Sequence, residues 1–243
     1  MKLWLKLLIG IPLALVAVAL LVLGYLGFIP GLSNLMGAAT PRDLGVRYTD
    51  ADLERLHTKG GVAYATLPAT ADPKESINII GSKPVEIAAS SEEMTALIND
   101  IDSRWVYWPT SKTQLKINTD GTVEMSGILN MDVLDEYAEA TDMPEGYMDA
   151  LNNYSGLILT NPRFYVKTRG YAEDGQFDGD QLEVEIGRVQ IPEDVLRDNQ
   201  EAIKSFVSER VEAAGIDADS LTVENGQFAF NGTIPTEYGF SPP

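Results

Sequence analysis

The sequence predicts an α+β fold: an N-terminal transmembrane helix, then a curved antiparallel sheet with long amphipathic helices packed on it. Three observations predict it. An uncharged run extends from Leu7 to Ile29. Two phrases, "LKINTDGTVEMSG" at 115–127 and "LTVENGQFAFNG" at 221–232, alternate apolar and polar residues about a glycine. Each phrase follows a stretch whose apolar residues recur at helical spacing.

The uncharged run comes first. Its length as a helix is roughly 34 Å, enough to cross a hydrocarbon core of about 30 Å. Trp4 and Tyr25 fall near opposite ends, where amphipathic rings favour the interface. Pro12 is tolerable inside a lipid-embedded helix. Lys2 and Lys6 precede the run and the first acid is Asp43, so the N-terminus is expected in the cytoplasm. A cleaved signal peptide is the competing reading, with small residues at Gly37 and Ala39. Its apolar region is typically about 7–15 residues, shorter than this one. Either way the remainder is extracytoplasmic. The chain divides into an anchor at 1–30, a juxtamembrane linker at 31–42 and an α+β domain at 43–243.

Composition narrows the chemistry. There is one histidine and no cysteine, which excludes thiolate zinc sites, iron–sulfur clusters, disulfides and cysteine nucleophiles. A Ser–His–acid triad would need His57. In "ADLERLHTKGG" that residue reads as a helix-end histidine close to the last carbonyls. No catalytic residue, metal ligand or cofactor is therefore expected. The net charge is −18, and past the anchor 16 basic residues face 36 acidic ones, a net of −20. A field of that sign disfavours nucleic acid and anionic headgroups as partners.

The domain elements follow in order. "ESINIIGSKPVEIA" reads as an early pair of strands around its Gly-Ser. Next, Met94, Leu97, Ile98 and Ile101 mark a helix, opened by a Ser90–Glu93 capping box. The first hairpin places Leu115 and Ile117 before an Asp120-Gly121 turn and Val123 and Met125 after it. Lys116 and Glu124 are sent to the opposite, watery face. "LDEYAEATDMPEGYMDALNNY" reads as short acidic helices. A third hairpin has strands near 157–171 and 180–191, joined by a polar loop, and Gly187 predicts a β-bulge. Pro192 opens a helix of about 22 residues, with Leu196, Ile203, Phe206, Val207, Val211 and Ala214 as its stripe. Gly215-Ile216 matches a Schellman stop. The last hairpin puts Leu221, Val223, Phe228 and Phe230 on one face about Asn225-Gly226, with Gln227 and Asn231 opposite. Strand, helix and hairpin thus occur twice, as expected of a pseudo-duplicated pair sharing one core.

A long helix on a bent sheet can enclose an apolar groove. Its expected lining is Leu115, Ile117, Val123, Met125, Phe206, Val207, Leu221, Val223, Phe228 and Phe230. The other reading is that these residues fill the interior completely. "SRWVYWPTS" places Trp105 and Tyr107 on one face and Trp108 on the other, and reads as packing that closes one end. Asp174, Asp178, Asp180 and Glu183 gather in "EDGQFDGDQLE", but without EF-hand spacing; a solvated turn explains them as well as calcium does. "NYS" at Asn153 and "NGT" at Asn231 fit the glycosylation triplet.

"EIGRVQIPEDVL", with "EEMTALINDI" and "VEMSGIL" upstream, resembles the YpmS-like membrane-anchored extracytoplasmic proteins of bacteria. It is similar, more distantly, to tubular lipid-binding (TULIP-like) domains. The phrases cover about 84–236, and the acidic insert at 132–152 departs from the pattern. The resemblance implies a non-enzymatic envelope protein that holds a lipid or another apolar ligand. The alternative is a non-catalytic envelope interaction or scaffold module with a solid core.

Overall fold

A computed structural model describes residues 17–26, 29, 31–37, 40–144 and 161–243. Residues 17–26 are helical, and a one-turn helix follows at Leu32–Leu35. Positions 7–16, 27 and 28 of the expected span lie outside the described residues. Among the described residues no helix is long and apolar enough to cross a membrane.

The domain then runs α1 (Asp50–Gly60), β1 (Ala63–Thr66), β2 (Ile77–Ile80), β3 (Lys83–Ala89), α2 (Ser91–Arg104), β4 (Thr110–Ile117) and β5 (Thr122–Leu129). After α3 (Leu134–Ala140) come β6 (Arg163–Glu173), β7 (Gln176–Ile186), β8 (Val189–Gln190), α4 (Glu193–Asp198) and α5 (Gln200–Ala213). The chain closes with β9 (Asp217–Glu224), β10 (Gln227–Ile234) and β11 (Glu237–Phe240). The fold is α+β, with a strongly curled antiparallel sheet ordered β3-β10-β9-β6-β5-β4. β7 pairs the other edge of β6 and carries β8. A smaller sheet, β1-β11-β2, has β1 parallel to β11.

Several local signals act as read. Ser90 and Glu93 form the capping box of α2. Asn225 and Gly226 both take positive φ, 54° and 77°, the twist a two-residue hairpin needs. At the end of α5, Gly215 N–H reaches the Glu212 carbonyl and Ile216 N–H reaches that of Val211, a Schellman motif.

Other expectations are corrected. The helix after Pro192 is two pieces, broken at Asn199, where ψ is 9°. The first hairpin turns through Asn118–Gly121 rather than two residues, with Gly121 N–H bonded to the Asn118 carbonyl. β2 and β3 are not a pair: the chain leaves the small sheet after Ile80 and enters the large one at Lys83. Gly187 sits in the tight turn between β7 and β8, where Ile186 opposes Val189. The bulge is instead at Leu182, because Lys167 opposes Glu183 and Thr168 opposes Gln181. The "polar loop" is a tight turn at Asp174-Gly175 followed by strand, so Asp178, Asp180 and Glu183 are strung along β7. Among the described residues no group of acids could hold a metal ion. The expected strand residues 157–160, the insert from 145 to 154 and Asn153 lie outside the described residues.

The outer face of the sheet is not simply solvated either. Leu44 and Val46 are buried against Tyr165 of β6, and the Arg42 guanidinium lies 3.5 Å from the Tyr165 ring centre. The Tyr165 hydroxyl donates to Glu124 at 2.8 Å, and Leu44 N–H donates to Gln114 Oε1 at 2.9 Å. Residues 42–46 are therefore a strap across the convex side. Glu124, expected in water, lies beneath it as a hydrogen-bond acceptor.

Candidate functional site

The concave face of the sheet is built from two rows of apolar residues that meet at β6. Register defines them, since directly opposed residues share a face. The first row is Leu115, Met125, Val166 and Val184, across β4, β5, β6 and β7. The second is Ile87, Phe230, Leu221, Ala172 and Phe177, across β3, β10, β9, β6 and β7. One edge of β6 serves both β5, over 163–169, and β9, at Ala172 and Glu173. The two hairpins consequently hang side by side from one strand. Their tips touch: a Cβ added at Gly226 would lie 3.5 Å from Thr119 Cγ2 and 3.6 Å from the Ile117 carbonyl oxygen.

The two halves of this face differ in closure. At the β4 end, Leu115, Ile117 and Val123 are buried, with Met94, Ile98, Met125, Val223 and Phe228 packed on them. Six of the ten residues expected to line a groove thus meet in one cluster, and α2 seals it. That helix also bonds the open edge of β4. The Thr95 hydroxyl accepts from Leu115 N–H at 3.0 Å and donates to the Leu115 carbonyl at 3.1 Å. Asn99 donates to the Thr113 carbonyl, and Ser91 accepts from Ile117 N–H. An edge strand left bare would recruit another chain, and these polar side chains occupy it instead.

The second row is less closed. Ala172 is buried, while Ile87, Phe230, Leu221 and Phe177 are half-buried. The Phe177 ring lies over Gly170 and Gly179, which face one another across β6 and β7; a Cβ at either would meet it within 3.0 Å. α5 runs along the outer edge of β7, with Ser208 Oγ accepting from Phe177 N–H and Gln200 donating to Asp180 Oδ1 at 2.6 Å. Phe206 and Val207 are on this helix, none of whose residues is buried. They are not in the β4 cluster, and neither are Leu221 and Phe230. A cavity of about 530 Å³ opens between α5 and the β6–β7 tip. Its lining is mostly polar: Tyr171, Glu173, Asp178 and Lys204 stand beside Phe177, and Lys204 pairs with Asp178 at 2.6 Å.

No family model, curated protein or solved structure matches this chain.

Val166, Ala172, Phe177 and Ile87 belong to this face but were not among the expected lining residues. Their signal is the facing pair Gly170 and Gly179, which leaves room for an aromatic ring on the same side. At the far end a second apolar layer closes the fold. Trp105 is buried, and its Nε1 donates to Ser76 Oγ at 2.9 Å. A turn, Trp108 N–H to the Trp105 carbonyl, swings both indoles into one cluster with ring centres 6.0 Å apart. They do not take opposite faces, because the strand alternation begins only at Thr110. Phe240 and Tyr137 complete this layer. Tyr64 lies at its rim, 6.4 Å from Phe240 and 4.9 Å from the His57 ring. Burial, with Asp100 nearby, pushes the Tyr64 hydroxyl up to about 12 against the pull of Arg104. His57 packs against Tyr64 with the rings tilted by 31°, its Nε2 buried without a partner.

Proposed function

We propose that this chain is a membrane-tethered, extracytoplasmic, non-catalytic domain that holds an apolar ligand, such as a lipid acyl chain, along the second row. The carrying observation is that row itself: Ile87, Phe230, Leu221 and Phe177 are half-buried and, joined through the buried Ala172, form a continuous apolar strip beside a helix with no buried residue. Contiguous, partly exposed apolar surface of this kind marks binding. The resemblance to YpmS-like and tubular lipid-binding domains points the same way.

The tether rests on the leading helix. Val18, Leu20, Leu21, Val22 and Leu23 are between 41% and 56% exposed. Consecutive apolar residues on every side of a helix suit lipid rather than water. The domain sits directly behind it, with the expected positive-inside orientation. We further infer a pseudo-duplicated pair, because β3–α2–β4–β5 and β8–α4–α5–β9–β10 both run strand, helical segment, hairpin, and α2 and α5 each bond the open edge of a strand.

The test is mass spectrometry of lipid that copurifies, without detergent, with residues 41–243. A bound acyl species should be present, and Leu221→Glu should remove it while the circular dichroism spectrum stays unchanged. A clean apo-protein that takes up no lipid would sink this reading. The second reading, an envelope interaction module with a solid core, is favoured by the six lining residues already packed together at the β4 end. That outcome predicts no lipid and a protein partner captured on the intact domain.

A further inference from the structure

We propose that Arg163 and Arg188 form a phosphate-binding collar for a membrane-lipid headgroup, where the leading helix meets the domain. The inference rests on the tether proposed above. Arg188, in the β7–β8 turn, holds the end of that helix by two contacts and the segment that follows it by a third. Its backbone N–H donates to the Leu26 carbonyl at 3.0 Å. Its guanidinium lies 4.2 Å from the Tyr25 ring centre, and it donates to the Met36 carbonyl at 2.9 Å. A tyrosine at the end of an apolar helix sits at headgroup level, so Arg188 is carried to the same depth.

Arg163 stands next to it. Its Nε donates to the Gly187 carbonyl at 2.7 Å, and Nη1 reaches the Thr40 carbonyl at 3.5 Å. Two carboxylates face this group, but a third arginine claims them first. Arg42 pairs with Glu185 at 2.9 Å and Glu183 at 3.3 Å, leaving Arg163 a longer 3.8 Å contact with Glu185. Three cations against two anions leave the spot locally positive, although the chain past the anchor carries a net −20. The guanidinium of Arg163 is held below its ordinary value, by burial first; Glu185 opposes this and the neighbouring Arg188 and Arg42 add to it. Each guanidinium has five donors in a planar fork suited to phosphate oxygens. A headgroup phosphate, present in zwitterionic and anionic lipids alike, supplies the missing anion, and the strongly acidic remainder of the domain stays away from the bilayer.

The experiment titrates short-chain phosphatidylglycerol into the full chain, held in a sugar-headgroup detergent that carries no phosphate, with bound lipid read by native mass spectrometry. Apparent affinity should fall roughly fivefold for each arginine removed in Arg163→Gln and Arg188→Gln. The Arg163→Lys/Arg188→Lys pair, which keeps the charges but loses the fork, should fall between. Equal binding by wild type and all variants would overturn the collar, as would displacement of the lipid by an equal concentration of inorganic phosphate. Alkaline carbonate extraction of membranes separates the two readings. A chain that stays in the membrane while its variants bind equally defeats the collar alone. A chain that leaves with carbonate defeats the tether and the collar together.

Discussion

The hydroxyl of Thr95 bonds both the amide and the carbonyl of Leu115, at 3.0 and 3.1 Å, within a wholly buried contact. A helix side chain here does the work of a neighbouring strand. α2 leaves β3, one end of the curled sheet, and lies along β4, the other end. Closure of the half-barrel on this side is thus achieved by a helix rather than by strand pairing.

Replacing Thr95 by valine keeps the shape and removes both bonds, leaving two backbone groups of Leu115 buried without partners. The expected loss is about 2–4 kcal/mol, read as a lower urea midpoint with unchanged slope. Thr95→Ser keeps the hydroxyl and should lose less than half as much. A larger loss for Thr95→Ser than for Thr95→Val would assign the role of Thr95 to its methyl group.

The clamp between α1 and α2 should be acid-labile. Glu93 is 4% exposed and accepts from Lys59 Nζ at 2.7 Å. Burial pushes its carboxyl up, but Lys59, the Ser90 N–H and Arg55 outweigh that and hold it below the ordinary 4.5. A depressed folded value means the stabilisation is complete above the unfolded value and is lost as pH falls through the folded one. Stability should therefore decline below about pH 4.5, and Glu93→Gln should flatten that decline while costing about 1–3 kcal/mol at neutral pH. Equal pH slopes for the two proteins, in urea melts from pH 7 to 3, would assign the acid response elsewhere.

These two contacts also mark what the sequence could and could not announce. The capping box at Ser90, the turn at Asn225 and the stop at Gly215 involve residues within a few positions of one another, so local chemistry decides them. The pairing of Thr95 with Leu115 joins a helix interior to a strand edge, and the apolar stripe Met94, Leu97, Ile98 and Ile101 carries no sign of it. The division of β2 and β3 between two sheets depends on β11, more than 150 residues away. The strap has no local signature for the same reason: Leu44 and Val46 show no repeating pattern until Tyr165 arrives beneath them. Of the candidate site, the two hairpin faces were legible and β6 and β7 were expected as a third hairpin, but the face those two strands share was not legible, because Gly170, Gly179 and the bulge at Leu182 interrupt the alternation.

Gly215 links α5 to the small sheet. Its φ is +73°, and an added Cβ would lie 2.9 Å from both Ile79 Cγ2 and Pro235 Cγ. Gly215→Ala combines a left-handed penalty of about 1–2 kcal/mol with a clash against two rigid side chains. The melting temperature should fall, and hydrogen exchange should quicken in the last turn of α5 and in β2. Gly121→Ala, where nothing lies within 4 Å, should show the conformational penalty alone and so report the size of the clash by difference.

The strap supplies the last prediction. Arg42 stacks on Tyr165 and pairs with Glu183 and Glu185, so one side chain pins residues 42–46 to the convex face. Arg42 is about a third exposed, so its ion pairs are partly screened, and the stacked guanidinium is worth about 1 kcal/mol. Arg42→Ala should barely move the global unfolding midpoint, because Leu44 and Val46 keep their burial. It should nonetheless open the strap locally: amides 43–47 should exchange several-fold faster, and cleavage at Arg47 by trypsin should accelerate. Arg42→Lys restores the charge without the planar stack, and should recover the slow exchange only in part. If Arg42→Ala instead lowered the midpoint as much as Thr95→Val, the strap would be part of the cooperative core rather than a separable cover.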